Sequence, residues 1–421
     1  MQRAKTRGAL ALTCIPAFMV ALDQLVVTTT LPSIRTDVGA SLEELGWTLN
    51  AYVLAFGVFM LTGAVLGDRF GRRRMFSAGV LLFGAASAAC ALAPSGGALI
   101  AARAVQGVGA ALVMPLSLAL LTDAFPPQRR GMAIGIYGGV TGSAVALGPI
   151  VGGAVAEGLS WQWIFWINVP LAVVTAGLAS RALDEAFGER RPVDLAGLVL
   201  ASGGLTGLVW GVIRGNDSGW GSTEIVLALA GGALMLLAFA AWQARAPAPM
   251  LPRRVFESGQ FVAANGATFL MAASLVGAAF LIPQFLQTVQ GDGPLEAGLK
   301  LLPWTAISIV VTPLAGSLAD RVEGRALIVP GLVLQGLAFA WMAAVVEPGS
   351  GYATLMPPLL LAGIGIGIVF PAVAHAIVGT AQDRDLGLAS AVNNTFREIG
   401  AVFGVAVAIA VFTANGGLGS P

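Results

Sequence analysis

The chain has 421 residues, 57% of them hydrophobic and only 11% charged. Soluble domains average roughly 45–50% and about 25%, so 23 basic and 22 acidic side chains cannot coat a water-facing surface of this size. The excess apolar surface faces lipid, and a net charge of +1 without a basic, aromatic-interleaved tract argues against a nucleic-acid partner.

A bilayer core of about 30 Å takes about 20 apolar residues as a helix. Breaks at Gly, Pro and charges divide the chain into thirteen such segments. They cover 9–31, 46–67, 74–94, 97–123, 131–157, 163–183, 194–213, 224–244, 260–287, 296–319, 326–346, 352–380 and 387–414. The first has a basic head, as a signal peptide has. Its apolar run continues to Leu31 with no small-residue cleavage site, so it reads as a retained span. Barrel strands would be about half this length and alternating in polarity. The fold class is therefore an all-α polytopic membrane protein. Cys14 and Cys90 lie in apolar runs, without the partners of a disulfide framework or a zinc site.

Lys and Arg are retained on the cytoplasmic side. With the N-terminus cytoplasmic, 18 of the 23 basic residues fall on that side, three on the other, and two, Arg103 and Arg397, inside spans. This bias supports the span count and the orientation together. Thirteen spans leave the C-terminus outside.

The chain also repeats itself. Leu66-Gly67-Asp68-Arg69-Phe70-Gly71-Arg72-Arg73 follows the second span, and Leu318-Ala319-Asp320-Arg321-Val322-Glu323-Gly324-Arg325 follows the tenth, with one extra residue before its glycine. Repeated halves around a central site are the architecture of secondary transporters. The first loop resembles motif A of the major facilitator superfamily. Leu22 to Pro32 is similar to the first-span motif of drug:proton antiporters, and Arg103 to Ala111 to the fourth-span motif B. Gly148-Pro149-Ile150-Val151-Gly152-Gly153 resembles the antiporter motif C, and Trp161 to Pro170 resembles a stretch common in the fourteen-span branch.

The resemblance implies two pseudo-symmetric helix bundles plus a two-helix insert. Residues 1–190 would form a six-helix bundle, 191–258 two extra spans and a linker, and 259–421 a second bundle of five visible spans. A sixth helix is needed to close that bundle, so the gene product is expected to continue past Pro421 with one more apolar span. Small-molecule substrate, protons and the lipid bilayer are the implied partners. Cofactor and metal are not expected, and a single chain is the expected unit. The expected location is the plasma membrane.

An ionisable side chain at mid-bilayer costs at least about 2.5–3.5 kcal/mol and marks function by default. Four qualify: Asp23, Arg103, Arg397 and Glu398. Asp23 lies roughly 21 Å into span one from the inside and Arg103 roughly 9 Å into span four from the outside, so the two share a depth. Desolvation disfavours a charged carboxylate and a neighbouring guanidinium favours it, so water access switches such a pair. It reads either as the proton-coupling device, as the motifs imply, or as a fixed structural ion pair. Arg397 and Glu398 are consecutive and point about 100° apart, so they are expected to face different surroundings. With Asn393 and Gln106 they are candidates for the substrate cavity, the alternative being a polar network between helices.

Asp68, Arg69, Gly71, Arg72 and Arg73, with Asp320 and Arg321 of the repeat, read as a cytoplasmic gate or as topology alone. Gly148, Pro149, Gly152 and Gly153 read as a bend that seals the cavity, or as close helix packing. His375 has no ligand at metal spacing, and the glycine run at 363–371 lacks the Lys-Ser/Thr of a phosphate loop. No nucleophile–base set suggests an enzyme. The expected function is a proton-coupled antiporter exporting small hydrophobic compounds. A proton-linked importer and a truncated, non-transporting paralogue are the alternatives.

Overall fold

The computed structural model describes residues 2–188, 192–247, 249, 256–319, 321–347, 349–380 and 386–414. Its elements are helical throughout, because lipid leaves no water to satisfy a free backbone amide or carbonyl. In chain order they are α1 (Gln2–Val38), α2 (Leu42–Phe70), α3 (Arg72–Ala91), α4 (Gly96–Ala124), α5 (Pro127–Gly158), α6 (Trp163–Trp166), α7 (Asn168–Ala182) and α8 (Leu195–Ser218). There follow α9 (Thr223–Gln243), α10 (Gly259–Gln284) with a π-helical tail Phe285–Val289, α11 (Pro294–Lys300), α12 (Leu302–Ala319), α13 (Gly324–Val345), α14 (Tyr352–Thr380) and α15 (Leu386–Ala414). Twelve spans are long and apolar enough to cross a membrane, and α5, bent by 43° between Ile136–Ala144 and Leu147–Gly158, makes the thirteenth. Pro149 removes a helical amide next to that bend.

Every segment expected to span is helical and long and apolar enough to do so, with shifted ends. The sixth is broken at Ile167 into α6 and α7, and the tenth at Leu301 into α11 and α12. The seventh runs five residues further, so Arg214 and Asp217 belong to the last turns of α8, and Glu224 opens α9. Local chemistry sets several starts. Ser41 Oγ accepts from the Glu44 amide (3.1 Å) while Glu44 Oε2 accepts from the Ser41 amide (2.9 Å), a complete capping box for α2. Ser95, Ser222, Ser258 and Asp194 cap α4, α9, α10 and α8 by accepting from one first-turn amide each, without the reciprocal bond. Gly71, at φ 106°, makes the α2–α3 turn that an L side chain rarely adopts.

Packing repeats along the chain. In the first half α2 and α3 lie on α4, and α1 lies on α5; in the second, α12 and α13 lie on α14, and α10 lies on α15. The motif-A repeat is thus matched by a repeat of helix pairing. Small residues permit the closest approaches. A Cβ on Gly107 of α4 would stand 2.3 Å from the Tyr52 carbonyl oxygen of α2. Outward faces carry bare apolar side chains, as lipid requires. Leu227, Leu234 and Leu237 of α9 are each 67% exposed.

The halves meet along α2–α15 and α5–α11, and α8 lies against both α2 and α15. Gly46 abuts Ile409 and Gly57 abuts Glu398, in an antiparallel seam. We refer to the end with the Gly39–Ser41 turn as the α1–α2 end, and to the opposite one, with Gly71, as the α2–α3 end.

Candidate functional site

Asp23 and Arg103, on α1 and α4, form a direct ion pair that is 1% and 0% exposed. Around it α2, α3 and α7 supply the remaining partners. Asp23 Oδ1 accepts from Gln106 Nε2 (3.0 Å) and Asn168 Nδ2 (3.2 Å). Arg103 Nε donates to the Thr48 carbonyl (3.0 Å) and one terminal nitrogen to Gln106 Oε1 (2.6 Å). Gln106 Nε2 also donates to Ser87 Oγ (2.8 Å). The guanidinium carbon lies 4.1 Å from the centroid of the Tyr52 ring, and Tyr52 donates to the Val20 carbonyl. An indispensable charge in an apolar interior is tolerated only when paired and hydrogen-bonded, and five helices converge to do that here.

Two differences from expectation follow. Gln106, grouped with the cavity, is fully buried in this cluster, its amide engaged on both ends. Ser87, Thr48, Tyr52 and Asn168 complete the cluster and are not marked in the sequence, because a lone neutral polar residue in an apolar run carries no charge signal.

The next residue on α1 faces the other half. Gln24 Nε2 donates to Glu398 Oε2 (2.5 Å). Arg397 and Glu398 were expected to face different surroundings; instead, Arg397 Nη2 lies 2.9 Å from Glu398 Oε1. The long arginine stem bridges the 100° between them, so the pair acts as one group. Glu398 is buried and Arg397 is partly exposed. Asn393 points elsewhere, donating to Thr268 (2.8 Å) and Asn265 (3.2 Å) of α10, a contact between helices. It does not share the surroundings of Arg397.

At the α2–α3 end, Arg72 joins two carboxylates: Nε donates to Asp68 (2.8 Å) and Nη1 to Asp123 of α4 (2.8 Å). Glu185, beyond α7, accepts from the Arg73 amide (2.9 Å) and lies 3.6 Å from Arg73 Nε and 3.5 Å from Arg74 Nε. A Cβ on Gly71 would stand 2.8 Å from the Glu185 carboxyl, so φ is what requires glycine at the turn and a side chain there would also displace Glu185. Arg69 lies over the Phe70 ring at 5.3 Å. In the repeat, Arg321 is exposed, and Asp320 lies outside the described residues.

The glycine face of α5 makes two seams. A Cβ on Gly152 would come 2.3 Å from the Val26 carbonyl of α1, and one on Gly148 would come 2.9 Å from Leu25 Cβ. Gly153 approaches the Pro294 carbonyl equally closely, and Gly298 of α11 approaches the Pro149 carbonyl. Further along α5, a Cβ on Gly138, Gly139 or Gly142 would meet nothing within 4 Å.

The Major Facilitator Superfamily model matches residues 13–405. The chain belongs to the Major Facilitator Superfamily. Within the superfamily it is 37% identical to the tetracenomycin C resistance and export protein of Streptomyces glaucescens, over 93% of this chain and 73% of that protein. It is 38% identical to the cephamycin export protein CmcT of Amycolatopsis lactamdurans, over 98% and 86%. Among solved structures it resembles a D-xylose-proton symporter, with a TM-score of 0.67 at 15% identity over 96% of this chain and 90% of that one. It also resembles, at 0.67 and 18% identity over 98% and 83%, a bacterial homologue of the lysosomal transporter Spinster in an inward-facing, unoccupied conformation. These two likenesses concern the fold.

Proposed function

We propose that the protein is a proton-coupled antiporter that exports small, largely hydrophobic compounds, antibiotics among them, by alternating access. Relatives named for antibiotic resistance and export support the substrate class. The observation that carries the coupling is the buried Asp23–Arg103 pair.

A proton taken up by Asp23 cancels the carboxylate charge. Arg103 then keeps the Thr48 carbonyl and Gln106 but loses its ionic partner, and the tie between α1 and α4 loosens. The consequence is carried by α1, because Gln24, next in sequence, holds Glu398 across the seam, and the Thr29 carbonyl accepts from Gln287 (2.8 Å) of the second half. Protonation inside the first half thereby biases contacts between the halves. Arg397 and Glu398, where α15 meets α1 and α2, are the candidate substrate contact. The α5 glycine face against α11 is the gate at the α1–α2 end; the Asp68–Arg72–Asp123 network belongs to the gate at the other. With the positive-inside bias, the α2–α3 end and the N-terminus are cytoplasmic. A single chain in the plasma membrane is the working unit.

The test uses proteoliposomes with an imposed proton gradient. Asp23→Asn keeps the shape and removes the titratable proton. It is expected to abolish gradient-driven transport while substrate exchange without a gradient continues. Undiminished gradient-driven transport overturns the assignment.

A further inference from the structure

A second feature lies at the α1–α2 end of the first half, and none of its lining residues belongs to the Asp23 cluster. The ends of α1 and α5 and the start of α7 enclose a groove of about 820 Å³, with α6 on one wall. Three indoles line it, Trp161, Trp163 and Trp166, together with Asp37 and Gln162. Trp161 is buried and Trp163 is 50% exposed, so the groove has an aromatic floor and an aromatic rim.

Its lining carries one formal charge, a carboxylate. Asp37 Oδ2 accepts from Trp161 Nε1 (2.8 Å) and Gln162 Nε2 (3.1 Å), which fixes the carboxylate at the groove. Those donors are neutral, Oδ1 has no partner among the described residues, and none of the lining residues is Lys or Arg. Two helices, α1 and α5, end at the groove with Val38 and Gly158. Helix C-termini carry partial negative charge and N-termini partial positive charge, so the ends of α1 and α5 offset the start of α7, and Asp37 is left as the one formal charge among the lining residues. Indole faces are the best aromatic partners for a cation, and recognition of quaternary ammonium groups uses such aromatic walls. An interfacial tryptophan belt alone would need neither a pinned carboxylate nor a concave site.

We infer that this groove is a binding site for amphiphilic organic cations, held by Asp37 and the three indoles, and separate from the transport path. A phospholipid headgroup fits poorly, because its phosphate would meet Asp37 and no basic side chain. The inference does not depend on the direction or coupling of transport.

Tetraphenylphosphonium and tetraphenylborate have the same shape and opposite charge, so they separate cation recognition from apolar partition. The full chain, carrying 5-fluorotryptophan and held in lipid nanodiscs, is titrated with each and followed by fluorine NMR. Trp163→Phe and Trp166→Phe assign the resonances. The phosphonium is expected to shift both saturably; the borate is expected not to. Asp37→Asn, which keeps the acceptor for Trp161, is expected to weaken phosphonium binding about tenfold or more. Gln162→Lys, which sets a cation beside the carboxylate, is expected to do the same, and Asp37→Glu to retain binding. Either neutralising variant suffices if the other fails to fold. Equal shifts by both ions, no saturable shift, or unchanged affinity in a folded neutralising variant overturns the site.

Discussion

A Cβ on Gly153 of α5 would come within 2.3 Å of the Pro294 carbonyl oxygen of α11, so the two halves touch there backbone to backbone. No rotamer change relieves that overlap. Gly153→Ala must therefore push α11 away, and overpacking of this kind costs about 1–3 kcal/mol. The cost falls on the closed state of the α1–α2 end and not on the fold of either half. We expect cysteines introduced near Leu295 to label faster in Gly153→Ala, with thermal stability of the solubilised protein little changed. Gly139→Ala, whose Cβ meets nothing within 4 Å, is the control and is expected to behave as the parent. Equal labelling in both variants would show that the seam is not a gate.

Arg103 makes demands that lysine cannot meet. Its nitrogens reach the Thr48 carbonyl, Gln106 and Asp23 together, and its plane stacks on Tyr52. A lysine ammonium is a single point of charge on a flexible stem. Arg103→Lys is expected to insert normally and to lose gradient-driven transport nearly as completely as Asp23→Asn. Removing the charge with Arg103→Met leaves Asp23 unpaired in the interior, which destabilises by about 3–5 kcal/mol. A lower melting temperature for Arg103→Met than for Arg103→Lys checks this order. The reverse order would mean that the cluster is held by packing alone.

At the α2–α3 end the ion pairs are partly exposed, and each contributes only about 0–1 kcal/mol. Asp68→Asn and Glu185→Gln should thus leave stability unchanged. They should still shift the balance between states, since Arg72 ties Asp68 to Asp123 and Glu185 holds the segment after α7 to Arg73 and Arg74. Cysteine accessibility at this end is expected to rise in either variant, and to rise in the parent with added salt, because exposed charges are screened. If accessibility does not change, these charges set topology only.

The spans were legible because lipid imposes a length and an apolar run on each. Breaks within spans were less so. The break at Leu301 has Pro303 two residues on, and the one at Ile167 has Pro170 three residues on, whose missing amide leaves the Trp166 carbonyl without its helical partner; both signals are visible, but a proline early in a span is also compatible with an unbroken helix. Asp23 and Arg103 were legible because charge at mid-bilayer is conspicuous. What surrounds them was not: Ser87 and Asn168 matter only through neighbours that distant segments bring. Arg397 and Glu398 show a different limit. Helical geometry separates their Cβ directions, but a long side chain can return to its neighbour. Glu185 stood outside every motif, and its role arises from the fold of the segment after α7 onto the α2–α3 turn.

Helix α8 touches both sides of the seam, and its contacts are unequal. Toward α2 it offers Arg214, whose Nε lies 3.5 Å from Glu43 Oε1, a partly exposed pair. Toward α15 it offers Asn216, which donates to the Ala410 carbonyl and to Thr413 Oγ1 (2.8 Å), while its own carbonyl oxygen accepts from Trp220 Nε1. A pair of this exposure contributes little, whereas a satisfied, partly buried amide is costly to strand. When the α1–α2 end opens, the α2 contact should part and the α15 contact should hold. Asn216→Cys with Thr413→Cys, whose side chains touch, tests this, since Cys14 and Cys90 are buried. The oxidised pair is expected to transport as well as the reduced one, because α8 travels with α15. Loss of transport on oxidation, restored by a reductant, would show that α8 parts from α15 during the cycle and moves with the first half.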